Sequence, residues 1–212
     1  MKLFSYKLKH DTGFAPNPFG GFLTLATCKP NIRKTKNVGD YVAGFTSKYL
    51  NGDEVGEERL IYLMRIDEII SISEYWNNPN FEIKKPNLTS QKKTLIAGDN
   101  IYKPVNGGNR FIQINNKFHD ASEMPRDLRG ENVIISFHFY YFGASPLTLP
   151  QHVRPKVPKG QSSNGYLTHN PDLVENFITY VESNYSYGLF NHPTQWIEND
   201  ITWKKDESYI KP

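Results

Sequence analysis

The chain has one cysteine, Cys28, in 212 residues. That excludes an internal disulfide and a zinc site built from several cysteines, and it favours a reducing compartment. No stretch approaches 18 apolar residues, so the sequence predicts no membrane-spanning helix. The opening MKLFSYKLKH lacks the apolar run of a secretory signal, and the expectation is a cytoplasmic protein. GxxxxGK[ST], HExxH and GxSxG are all absent, which removes the commonest phosphate-loop, zinc-peptidase and serine-hydrolase readings. No repeat of fixed period is present. Six histidines stand at 10, 119, 138, 152, 169 and 192, with no pair four apart. No metal and no cofactor is expected.

What is present is aromatic and mildly basic. Aromatic residues make up 14% of the chain, enough to supply core volume and some stacking surface. Net charge is +3 and the isoelectric point about 8.8, compatible with a phosphate-bearing partner without requiring one. A mean hydropathy of −0.59 fits a globular chain. At this length the expectation is one domain over residues 1–190, with a C-terminal extension at 191–212 that ends in the tail TWKKDESYIKP.

Strand patterns dominate the first two-thirds. Phe4, Tyr6 and Leu8 alternate with Ser5, Lys7 and Lys9, the period of a half-buried strand. Residues 22–27, 41–45, 60–66, 111–114 and 133–139 also read as strands. Pro30 opens a short basic helix running to Lys36, and residues 73–76 open another that Pro79 stops. Residues 77–95 read as a long polar connection. Asp172, Leu173, Val174, Phe177, Ile178 and Val181 stand at helical spacing and predict the one longer helix. Many short strands with Gly and Pro turns indicate an α+β fold built on a barrel or sandwich.

The stretch DTGFAPNPFGGFLTLATCKPNIRK, residues 11–34, is dense in shape-restricting residues and then in positive charge. Pro restricts φ and Gly admits conformations that other residues resist, so the segment reads as a rigid loop. Cys28 beside Lys29 invites a nucleophile reading, but no histidine is near it in sequence, and a lone cysteine is most often a small apolar core group. His119-Asp120 reads as an acid/base or metal-ligand pair, against the plainer reading of an exposed loop. His138, inside an alternating strand, reads as structural.

The run DTGFAPNPFGGFLTLATCKPNIR, followed by GDYVAGF, LIYLMRIDEIISISEYWNNPNF, GDNIY and ISFHFYYFG, resembles the family called nucleotide modification associated domain 2. The likeness covers about residues 3–150, with a weaker echo to about 190. It implies a bacterial or phage setting and a link to modified DNA bases. The basic helix ending in Arg33, then Gly39-Asp40 and a strand, is also similar to the EVE branch of the PUA-like barrels. That likeness implies a PUA-like (EVE-like) mixed β-barrel whose mouth receives a flipped base, although the loop at 47–59 is longer than the pattern.

On this reading the 11–34 loop folds over a pocket. Phe14 or Phe19 stacks on a base, Asn17 reads a base edge, and Lys29 and Arg33 meet phosphate, with Asn100 and Tyr102 nearby. The expected function is binding of a nucleotide, a modified base or DNA. The first alternative is an enzyme that makes, trims or removes a base modification, with Asp11, Asp99 and His119 as acid/base groups. The second is an interaction subunit of a modification or phage-defence complex, docking through the Pro-rich residues 146–170 and the charged tail.

Overall fold

Two strand pairs bend through one corner and set the architecture. In a computed structural model, residues 1–108, 110–160 and 162–196 are described. In chain order the elements are β1 (Leu3–Lys7), β2 (Leu23–Leu25), α1 (Pro30–Thr35), β3 (Tyr41–Phe45), α2 (Lys48–Asn51), β4 (Leu60–Arg65), β5 (Glu68–Ser71) and α3 (Ile72–Asn77). There follow α4 (Lys93–Ile96), β6 (Tyr102–Val105), β7 (Arg110–Gln113), α5 (Met124–Leu128), β8 (Asn132–Ser136), β9 (Phe139–Tyr141), β10 (Tyr166–Leu167), α6 (Pro171–Asn184) and β11 (Gly188–Leu189). The fold is mixed α+β.

A six-stranded sheet runs β10-β1-β3-β4-β9-β11, a three-stranded sheet runs β2-β8-β5, and β6 pairs with β7 alone. The expected barrel is therefore not what the pairing shows. Among the described residues these are open sheets, and no closed barrel is seen. The two larger sheets are nevertheless joined by shared strands. β4 and β9 pair in the large sheet, while their continuations β5 and β8 pair in the small one. Both strands change sheet at one corner, where Asp67 Oδ2 accepts the N–H groups of Phe137 (2.7 Å) and His138 (3.0 Å). Residues 133–139, expected as one strand, are thus two strands in two sheets. Corners made by strands that switch sheets are typical of orthogonal β packing.

β1 departs from expectation in another way. Its alternation suggests a wet face, yet all five residues are buried. Lys7 is buried with its charge matched: Nζ lies 2.5 Å from Glu58 Oε1, and Arg154 holds the other Glu58 oxygen at 2.7 Å. Once Lys7 is paired, both faces of β1 can be covered. β8 is apolar on both faces, with Val133, Ile134 and Ile135 fully enclosed. Burying side chains of this kind contributes roughly 1.5–3 kcal/mol each, which makes β8 an anchor for the small sheet.

The 77–95 connection holds a 3-10 turn, Pro79–Lys84, and α4. The long helix α6 appears where its spacing predicts, capped by Asn170, whose Oδ1 accepts from Asp172 N and Leu173 N. The described start of the expected extension, residues 191–196, is tied to the body of the fold: Thr194 N and Oγ1 both donate to Asp11 Oδ2. The tail at 202–212 lies outside the described residues. No helix among the described residues is long and apolar enough to cross a membrane. The crossover from β1 to its parallel neighbour β3 contains β2 and α1, and its turn between them carries Cys28.

Candidate active site

Cys28 leaves β2 in an unusual backbone state. Its φ is 54° and that of Lys29 is 37°, two consecutive left-handed residues without glycine. Such conformations are disfavoured by about 1–3 kcal/mol each and persist only where the surroundings impose them. The surroundings here are clear. Asp127 Oδ1 accepts the Cys28 N–H at 2.9 Å, and Arg33 Nε donates to the Cys28 carbonyl at 2.8 Å. Cys28 comes three residues after β2 ends at Leu25 and two before α1 starts at Pro30, on a sharp turn, with its side chain half-buried.

His119 Nε2 lies 3.3 Å from Cys28 Sγ, and His119 Nδ1 lies 2.9 Å from Asp127 Oδ2. Tyr102 donates its hydroxyl to the same Asp127 oxygen at 2.9 Å. Cysteine, histidine and aspartate thus form a chain of nucleophile, base and orienting carboxylate. Burial alone would lower the pKa of His119, but contacts with Asp127 and Cys28 outweigh it and raise it to about 9. Burial likewise opposes ionisation of Asp127, yet His119, Arg33 and Tyr102 together hold its carboxyl below the usual range. Tyr102 is pushed upward, by burial first and then by Asp127.

The ring of His119 is held by its neighbours. Phe14 meets it edge-on at 4.9 Å between centroids and stacks on Phe118. Asn116 Oδ1 accepts the His119 N–H at 2.8 Å. A cleft of about 200 Å³ opens beside it, lined by Gln113, Ile114, Asn115, Asn116, His119, Asp120 and Ala121.

Five of the residues singled out in the sequence converge here: Phe14, Lys29, Arg33, Tyr102 and His119. Their roles differ from expectation. Arg33 is 0% exposed and faces inward. Its guanidinium donates to the carbonyls of Cys28, Asn132 (2.7 Å) and Asp127, so it braces the turn and presents no charge outward. Lys29 is half-buried over the Tyr6 ring and donates to Ser162 O at 3.0 Å. Burial lowers its pKa to about 8, opposed by Cys28. Asp120, the expected partner of His119, is exposed and holds Ser122. Asp127 takes that place.

The other residues lie elsewhere. Asn17 is 1% exposed, and both ends of its amide are engaged: Nδ2 donates to Ala97 O, and Oδ1 accepts from Phe19 N and Lys84 Nζ. Asp99 accepts from Thr24 Oγ1 and Tyr75 OH, both at 2.7 Å, and Asn100 Nδ2 donates to Tyr75 O. Lys84, from the connection read as polar, is buried among them. Burial pulls its pKa down, and Asp99 pulls the other way. Asp11 is buried under Tyr141, whose hydroxyl donates to it, and Phe19 stacks on Trp196. The 11–34 loop is therefore packed inward.

Sequence reasoning passed over Cys28 and did not reach Asp127. The signal that could have found the former is the strand–Cys-Lys-Pro–helix order, which forces a sharp turn. For Asp127 nothing local gives a sign. Three ligand atoms of Cys28, His119 and Asp127 also lie within 4.8 Å of one another, so the group can be read as a metal site. Both Asp127 oxygens already accept hydrogen bonds, from Cys28 N and Tyr102 OH, and a metal would compete with them.

Compared with known proteins, the chain matches the family model described as nucleotide modification associated domain 2 over residues 1–200. No curated protein and no solved structure matches it significantly.

Proposed function

The chain belongs to the nucleotide modification associated domain 2 family, and from that premise we propose that it is an enzyme of nucleotide or base modification that uses Cys28 as a covalent nucleophile. The observation that carries the proposal is the 3.3 Å approach of His119 Nε2 to Cys28 Sγ, on a strained turn, with Asp127 behind the imidazole. A strained nucleophile backed by a base and an orienting acid is costly to build for structure alone.

In the proposed step the proton shared by the pair already rests on the His119 imidazole, and the Cys28 sulfur attacks as a thiolate, bonding to an electrophilic carbon of the substrate and displacing an electron pair onto the neighbouring oxygen or ring atom. That carbon is a carbonyl of a base substituent or an unsaturated ring carbon. His119 then returns the proton to the leaving group, or to the atom that took the displaced electron pair. Asp127 keeps the imidazole oriented, and Arg33 and Tyr102 keep Asp127 in place. Phe14 closes one side of the imidazole, and Lys29 supplies a cation beside the turn.

The test is intact-mass spectrometry of the protein incubated with nucleotides and with modified DNA, beside a nucleoside profile of the products. Adduct formation or turnover that vanishes in Cys28→Ala and falls at least a hundredfold in His119→Gln supports the reading. Turnover unchanged in Cys28→Ala refutes it. Binding without turnover in every case supports the module that recognises a nucleotide or base.

A further inference from the structure

Among the described residues, charge is matched around the Cys28 turn with one exception. The thiol stands against the His119 imidazole, and Asp127 against the buried Arg33. Arg126 pairs with Glu123, and Lys34 with Glu131. Lys29 has no carboxylate at ion-pair distance among the described residues. Its Nζ meets the Ser162 carbonyl at 3.0 Å and the face of the Tyr6 ring at 4.3 Å from the centroid. An ammonium carries three donors, so one is left after the carbonyl and the ring. Taking a charge out of water without an opposite charge is costly, and a half-buried cation in this state calls for an anion.

A second cation stands close by. Lys29 directly follows Cys28, and Arg126 directly precedes Asp127. Asp127 Oδ1 joins the two: it accepts the Cys28 N–H at 2.9 Å and lies 3.8 Å from Arg126 Nε. Burial is the main reason that the Lys29 pKa is low, but the Arg126 charge also pushes it down, so the two cations are near enough to repel. Both can be reached from outside. Lys29 is only half-buried, and the Arg126 side chain is 45% exposed. The Arg126–Glu123 pair is itself at the surface, where such pairs hold weakly, so the guanidinium can turn to a ligand.

The chemistry of the anion follows from the substrate class. On a common nucleotide the phosphate is the group that is anionic at neutral pH. A guanidinium fork beside an ammonium suits its oxygens. Building on the enzyme reading above, we propose that Lys29 and Arg126 form the phosphate subsite of the Cys28 centre: they hold one phosphate of a nucleotide or of a nucleic-acid strand and so fix the substrate beside the thiol. Arg126 then takes the part that the basic run suggests for Arg33.

Equilibrium binding to the Cys28→Ser protein at low salt keeps chemistry out of the measurement. The probes are deoxycytidine, deoxyadenosine and thymidine, their 5′-monophosphates, and the dinucleotides that join each by one phosphodiester. We expect a phosphorylated form to bind about tenfold or more tightly than its nucleoside, the factor for one charge-assisted hydrogen bond. Tighter monophosphates identify a free nucleotide as the source, and tighter dinucleotides a strand; either supports the subsite. Lys29→Met, which keeps the stem and removes the charge, abolishes the advantage, while Lys29→Arg retains it. Arg126→Gln reduces it about threefold or more, and at an exposed position it serves should Lys29→Met fail to fold. Equal binding of nucleosides and phosphorylated forms, an advantage that survives both substitutions, or no binding of any probe overturns the proposal. A phosphate preference alongside inert Cys28 chemistry overturns only the catalytic reading. Cys28 turnover without the preference overturns only this one.

Discussion

His119 Nε2 meets Cys28 Sγ at 3.3 Å across 91 residues of chain, and the ring's other nitrogen faces Asp127. The first prediction follows from what those two neighbours do to the imidazole. Its pKa should be found near 9 by NMR titration of the ring protons. In Asp127→Asn or Cys28→Ala it should fall toward the ordinary value of about 6.5. Because the folded-state value is raised, the stability that His119 contributes is complete below about pH 6.5 and is lost as pH rises through 9. A titration unmoved by both substitutions would mean that the three side chains do not act together.

Asp127 is fully buried and holds Cys28 N, Tyr102 OH and His119 at once. Asp127→Ala leaves the buried Arg33 cation without its nearby carboxylate, and such losses destabilise by about 3–5 kcal/mol. Asp127→Asn keeps the shape and one acceptor and should lose less stability than activity. Denaturant midpoints set beside single-turnover rates check this. Equal losses in both would make Asp127 a structural residue only.

Arg33→Ala should reduce stability by about 3 kcal/mol or more, since it strips three carbonyls of their donor. Its effect on the salt dependence of any DNA binding should be nil, because an enclosed guanidinium displaces no counterions. Gly130→Ala offers a gentler version. A Cβ there would stand 2.4 Å from the Arg33 guanidinium carbon, and overpacking of this sort destabilises by about 1–3 kcal/mol. A flattened salt slope in folded Arg33→Ala would show that the side chain reaches solvent.

If the cluster works as a nucleophile and not as a metal centre, dialysis against a chelator should leave turnover and the unfolding midpoint unchanged. Elemental analysis should find far less than one metal ion per chain. Excess zinc should inhibit, by competing for the thiol and imidazole. Copurified zinc, with activity lost on its removal, would reassign Cys28, His119 and Asp127 as ligands.

Local pattern made much of the fold legible. The apolar run at 60–66, the spacing from Asp172 to Val181 and Pro30 each announce their element, because alternation, helical period and capping are short-range effects. What stayed hidden depends on partners distant in sequence. Lys7 reads as solvent-facing until Glu58 and Arg154 are placed beside it. The break in 133–139 is made by Asp67, 70 residues away from Phe137. Asp120 draws the eye because it adjoins His119, yet the chain turns it outward and Asp127 inward. Arg33 looked like surface charge in a basic run, and only the carbonyls that surround it reveal a brace.

The turn that carries Cys28 emerges early in synthesis, 99 residues ahead of Asp127. At roughly 5–20 residues per second that is a lag of about 5–20 s, longer still before the acid could fold into place. Through that interval the sulfur belongs to an unfinished chain, without base or orienting acid. The cluster can close only after α5, which carries Asp127, has been made. A ribosome stalled before residue 119 would hold Cys28 with neither His119 nor Asp127 beside it, so translation itself sets when the three side chains can first meet.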